Sequence, residues 1–134
     1  MENKFGDFIA EYPPDCGNAP KKILLRDFTI AWAKKEQSSV FNLIAEHIMW
    51  NIAGHKTIHG KSEFEKQWNE LNNDDVAHLK IHHIITHGNV ASVNGITVLR
   101  DGRKIAFCHV YQFSGFGKKA KIKEITSYLI ETDK

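Results

Sequence analysis

AHLKIHHIITH (77–87), VASVNGITVLR (90–100), KIAFCHVYQF (104–113) and KIKEITSYLIET (121–132) follow one another with only short breaks. Each run is rich in β-branched and aromatic residues, the composition of strands. The first two breaks, His87-Gly88-Asn89 and Asp101-Gly102-Arg103, are glycine-containing turns that suit hairpins. The third is the loop 114–120. Four successive strands make an antiparallel meander. Ahead of it the sequence predicts helical segments and one short strand. Helices first and a long sheet afterwards describe an α+β domain whose helices cover one face of a curved sheet. A sheet bent over its helices can enclose a pocket.

The chain of 134 residues is expected to form a single domain, large enough for a core without metal or disulfide staples. Its 42% hydrophobic and 25% charged residues are ordinary for a globular protein. A formal charge of +2, with Lys and Arg spread along the chain, argues against nucleic acid as a partner. The basic cluster at residues 118–123 reads as a solvated loop and strand start. Cys16 and Cys108 lie far apart and read as free thiols of a reducing compartment. No apolar run approaches the roughly 20 residues of a membrane span, and the N-terminus lacks a secretory pattern. The expected location is the cytoplasm.

Residues 5–11 suggest a short helix that stops at Tyr12-Pro13-Pro14, because a proline disfavours α conformation in the residue before it. Asn18 is the expected N-cap of a helix running to about Lys35, with Pro20 in its first turn. Leu24, Phe28, Ala31 and Trp32 form its expected buried stripe. Ser38 or Ser39 caps a second helix over residues 40–46, with Val40, Leu43 and Ile44 inward. A short strand over 47–53 alternates Ile48, Trp50 and Ile52 with His47, Met49 and Asn51. After a hairpin-like stretch at 54–60, Ser62-Glu63-Phe64-Glu65 reads as a capping box. Phe64, Trp68 and Leu71 then mark one face of the helix it opens.

Eight histidines raise the question of a metal. His78, His82, His83 and His87 have ligand spacing only on a helix, and the β-branched residues among them specify a strand. Four strand residues span about 13 Å, whereas zinc ligands lie about 2 Å from the ion. His78 and His82 therefore cannot share a metal, and His55 with His59 lacks a third ligand of defined spacing. No metal or cofactor is expected. Cys16 precedes a helix start but has no neighbouring base. The acid–base reading has more content. Phe107, His109, Tyr111 and Phe113 share one face of the third meander strand, so His109 is flanked by aromatics. Desolvation there favours the neutral imidazole, which can donate or accept a proton. In the last strand either Ile125, Ser127 and Leu129 or Glu124, Thr126 and Tyr128 point inward.

Ile44–Trp50, Ile58-His59-Gly60-Lys61, Asn89–Val93 with Arg100–Arg103, and Ile122–Tyr128, taken in this order, resemble the SnoaL-like branch of the nuclear transport factor 2-like superfamily. The resemblance covers residues 22–131 and leaves 1–21 as an N-terminal extension. It implies a cone-like curved antiparallel sheet packed on N-terminal helices, a homodimer, and a deep apolar pocket. The family's pockets serve isomerases, cyclases, epoxide hydrolases and dehydratases, and many members have no known activity. In the similar ketosteroid isomerases the catalytic base falls at Ile52, the oxyanion tyrosine at Phe28 and a second oxyanion group at His109. The catalytic aspartate of the similar hydrolases and cyclases falls near Ser127. The bases of those enzymes are thus replaced. The resemblance implies a pocket lined by Phe28, Trp32, Trp50, Ile52, Tyr111 and Leu129, with His109 and Ser127 as its polar groups.

Three functions fit. One is a pocket protein that binds a small, largely apolar molecule. Another is a cofactor-independent isomerase, dehydratase or cyclase with His109 as catalytic acid or base. The third is a non-catalytic interaction protein in which Trp32, Trp50 and Trp68 fill the pocket.

Overall fold

The computed structural model describes residues 2–14, 19–115, 117 and 119–132. Cys16, Asn18 and Lys118 lie outside them, so the expectations placed on those residues do too. Eleven elements follow in order: β1 (Glu2–Phe5), β2 (Phe8–Glu11), α1 (Pro20–Lys34), α2 (Gln37–Phe41), β3 (Ile44–Ile52), β4 (Lys56–His59), α3 (Lys61–Leu71), β5 (Val76–His87), β6 (Val90–Leu99), β7 (Lys104–Phe113) and β8 (Ile122–Thr132). The four-stranded meander is present within one residue of its expected bounds. All the strands join one curved sheet in the order β1-β2-β5-β6-β7-β8-β3-β4, with the helices on its concave side making an α+β architecture.

The sheet is not purely antiparallel. β2 runs parallel to β5, and β3 parallel to β8. The second join is where the chain, having passed through the helices, returns beside its own last strand. The expected helix at 5–11 is instead the hairpin β1–β2, with Phe5 opposite Phe8. Gly6, at φ +65°, occupies the first central position of its two-residue turn, where a type II′ hairpin takes glycine. Phe8, Ala10 and Tyr12 are buried at strand period, and Ile9–Glu11 add a parallel edge to His78–Lys80. Glu2–Phe5 and Phe8–Glu11 of the N-terminal extension are therefore part of the sheet.

Three local expectations are corrected. The second helix covers Gln37–Phe41, because Ile44 is already paired with Ile122 as the first residue of β3. α3 begins one residue before Ser62, so no capping box forms. Its N-cap is Gly60, whose φ of 89° turns the chain from β4 into the helix at once. In α1 the buried residues include Leu25, Phe28, Thr29, Ile30, Ala31 and Ala33, while Leu24 is 37% exposed.

α1 ends at Lys35, which holds the left-handed conformation at φ 63° while its N–H satisfies the carbonyls of Ala31 and Trp32. A side chain is unfavourable there by about 1 kcal/mol. Lys35→Gly is expected to raise stability by about that amount, read as a higher urea midpoint at unchanged slope.

The curvature has identifiable sources. β5 carries extra residues at Ala77 and His82, where its register against β6 shifts. Such bulges bend the strand and strengthen its twist. Opposite the second, Gly95 comes so near β5 that a Cβ would lie 2.0 Å from the Lys80 carbonyl oxygen. Among the described residues, no helix is long and apolar enough to cross a membrane.

Candidate functional site

Between the helices and the concave face of the sheet lies a cavity of about 560 Å³. Register explains which side chains meet there. His109 on β7 pairs with Ser127 on β8, and Ser127 pairs with Ile52 on β3, forming one row across three strands. The adjacent row places Tyr111, Ile125 and Trp50 side by side. From above, α1 contributes Thr29, Trp32 and Ala33, a stripe at the i, i+3, i+4 spacing of one helix face.

His109 lies among aromatic rings. Its centroid is 5.5 Å from Phe107, 6.1 Å from Tyr111 and 5.3 Å from Trp32. Burial in these surroundings pushes its pKa down to about 4, so the ring is neutral at neutral pH. Trp50 Nε1 donates a hydrogen bond to Ser127 Oγ at 2.9 Å, and that oxygen is 2.7 Å from His109 Nδ1. Burial also raises the Tyr111 phenol above its ordinary range, against the lowering effect of a hydrogen bond with Thr29. The Thr29 hydroxyl donates to the Leu25 carbonyl at 2.7 Å. The cavity wall thus has two polar points, His109 and Tyr111, the first backed by the buried Ser127 hydroxyl.

Its mouth has a different character. His55, Lys56, Leu71, Asn72 and Asp74 rim it together with Leu129. Leu71 and Leu129 are 48% and 50% exposed, so an apolar lip leads inward. The charges there are partnered: Lys56 Nζ donates to Gln67 Oε1 at 2.6 Å, and Arg103 meets Asp74 at 3.0 Å.

Six of the eight residues expected at the pocket line this cavity: Trp32, Trp50, Ile52, His109, Tyr111 and Leu129. Phe28 does not. It lies next to Thr29, off the α1 stripe that faces the cavity, and packs edge-on against Tyr111 and Trp32 at 5.8 Å. Ser127 points inward but is fully buried, covered by its two partners. Thr29, Leu71 and Phe107 line it beyond the expected set, and Thr29 carries a legible signal as the residue three before Trp32. The three tryptophans pack together, with Trp32 5.5 Å from Trp50 and 5.9 Å from Trp68, yet they leave the cavity open.

The other histidines lie away from the cavity interior. His78 approaches Glu11 at 2.6 Å and His83 Nδ1 lies 3.1 Å from Asn94 Oδ1, both on β5. No group of three His, Cys, Asp or Glu among the described residues is arranged to hold a metal ion.

No family model matches the sequence, and no curated protein matches it either. Solved structures do match. A nuclear transport factor 2-like protein of unknown function from Cytophaga hutchinsonii aligns at TM-score 0.64 and 21% identity, over 81% of this chain and 97% of that one. The chain has the nuclear transport factor 2-like fold. Within that fold, a SnoaL-like protein of unknown function from Burkholderia thailandensis aligns at TM-score 0.66 and 13% identity, covering 84% and 97%. An epoxide hydrolase/cyclase-like enzyme of pyran ring formation in the polyether salinomycin aligns at TM-score 0.69 and 11% identity, covering 85% and 93%. The nuclear transport factor 2-like fold accounts for the cone of sheet and helices. The hairpin β1–β2 adds two strands at one edge of this chain's sheet.

Proposed function

We propose that this protein binds a small, largely apolar molecule in the cavity between α1 and the sheet. The observation that carries this reading is a cavity of about 560 Å³ lined mainly by apolar and aromatic side chains, with a few convergent polar groups. The apolar lip of Leu71 and Leu129 supports it, because exposed apolar side chains around an opening favour apolar entry. Trp32 and Trp50 both line the cavity, so titration with α-tetralone is expected to change tryptophan emission saturably. Emission that stays unchanged up to the solubility limit would sink the reading.

A second reading is a cofactor-independent isomerase, dehydratase or cyclase that moves a proton through His109. The neutral state of that ring supports it, as does the likeness in fold to an epoxide hydrolase/cyclase-like enzyme. His109→Ala separates the two. In a binder it weakens affinity by about tenfold at most, the worth of one hydrogen bond. In an enzyme it removes about 10² to 10⁴ in turnover while binding persists.

A further inference from the structure

One row of inward-facing residues crosses the sheet from the cavity interior to its mouth. His109 pairs with Ser127, Ser127 with Ile52, and Ile52 with Lys56 on β4. Directly opposed residues share a face of the sheet, so Lys56 belongs to the concave side although it is exposed. Three strand spacings separate it from His109, about 14 Å along the sheet. Lys56 and its neighbour His55 both line the opening. The Lys56 ammonium donates to Gln67 Oε1, a neutral amide oxygen, at 2.6 Å. Gln67 in turn donates to Glu63 Oε1 at 3.1 Å, so that carboxylate is joined to Lys56 only through an amide. Among the described residues, no carboxylate lies within ion-pair distance of Lys56. Gln67 and the lip residue Leu71 share one face of α3, which sets this uncompensated charge beside the apolar lip. An ammonium group has three N–H donors, and the bond to Gln67 uses one of them.

Inside the mouth the lining carries no Lys, Arg, Asp or Glu. An ionised group drawn fully inside would lose its hydration with nothing to pair against. The acid of the rim, Asp74, meets Arg103 at 3.0 Å, but Arg103 also meets Asp101 at 2.9 Å and Glu131 at 3.6 Å. One arginine shared among three carboxylates leaves the surroundings of Asp74 acidic. An anionic head is therefore repelled at Asp74 and attracted at Lys56. We propose that the ligand is an amphipathic carboxylic acid, with its apolar body in the cavity and its carboxylate on Lys56 Nζ at the mouth. This deepens the pocket reading above and rests on it.

Decanoate, decanamide and decylammonium share one apolar chain and differ in the charge of the head. Their dissociation constants are read from tryptophan emission at low salt, below micelle formation, with α-tetralone as the uncharged reference. Decanoate is expected to bind about fivefold more tightly than decanamide, the upper worth of an exposed ion pair. Decylammonium should bind more weakly than either. The decanoate margin should close as salt approaches about 1 M, where charges are screened beyond about 3 Å. Lys56→Met should erase that margin and Lys56→Arg should retain it. Lys123→Met removes an exposed charge of β8 outside the cavity and should leave the margin intact, which separates a local contact from net charge. If neither α-tetralone nor any decyl probe changes the emission, the pocket reading falls and this inference with it. If α-tetralone binds but decanoate binds no better than decanamide, or keeps its margin in Lys56→Met, the inference is overturned and the pocket reading stands.

Discussion

Gly95→Ala is expected to destabilise the fold by about 3 kcal/mol or more, the upper range for forcing an atom into a packed interior. The added Cβ would meet the Lys80 carbonyl oxygen at 2.0 Å and Ile81 Cα at 3.0 Å. Both are backbone atoms of the neighbouring strand, so no side chain can rotate away. Relief would require β5 and β6 to separate at the bulge where the sheet bends. Cavity residues Leu79 and Thr97 flank that bend, so probe binding should be lost along with stability. Urea unfolding of the alanine variant checks this. A midpoint equal to that of the wild type would show that the two strands are not in such close contact.

Acid is expected to remove about 3 kcal/mol of stability through His109 alone. Its folded pKa is about 4, against 6.5 for the ordinary side chain. Between these values the unfolded chain binds the proton more readily than the folded one does. Stability therefore rises with pH across this window: the His109 contribution is full above about pH 6.5 and lost as pH falls through 4. The comparison is with His109→Gln, which cannot charge, so that contributions common to both proteins cancel. Between neutral pH and pH 4 the wild type should lose about 3 kcal/mol more than the variant. Parallel curves would mean that the ring is solvated in the folded protein.

Much of this architecture was legible because the signals are local. The turns at Gly88 and Gly102 and the alternation through Phe107, His109, Tyr111 and Phe113 fixed the meander and the inward face of β7. Long-range pairing was harder to read. The hydrogen bond from Trp50 to Ser127 joins residues far apart in sequence, and it depends on β3 lying parallel beside β8. Ser127 was expected in the pocket, but its role behind His109 follows only from that pairing. In β5 the buried residues Leu79, Ile81 and Ile84 break strict alternation at His82-His83. That break marks a bulge, which two consecutive polar residues in a strand do not announce by themselves. The first hairpin looks helical in the sequence because Phe5, Phe8 and Ile9 fit helical spacing, while Gly6 between Phe5 and Phe8 carries the turn.

The most direct test of the pocket reading is native mass spectrometry of the protein purified gently from its own host, compared with a denatured sample. We predict a small-molecule adduct, one per chain, present in the native spectrum and absent after denaturation. A native spectrum showing only the bare mass of the chain would contradict the account.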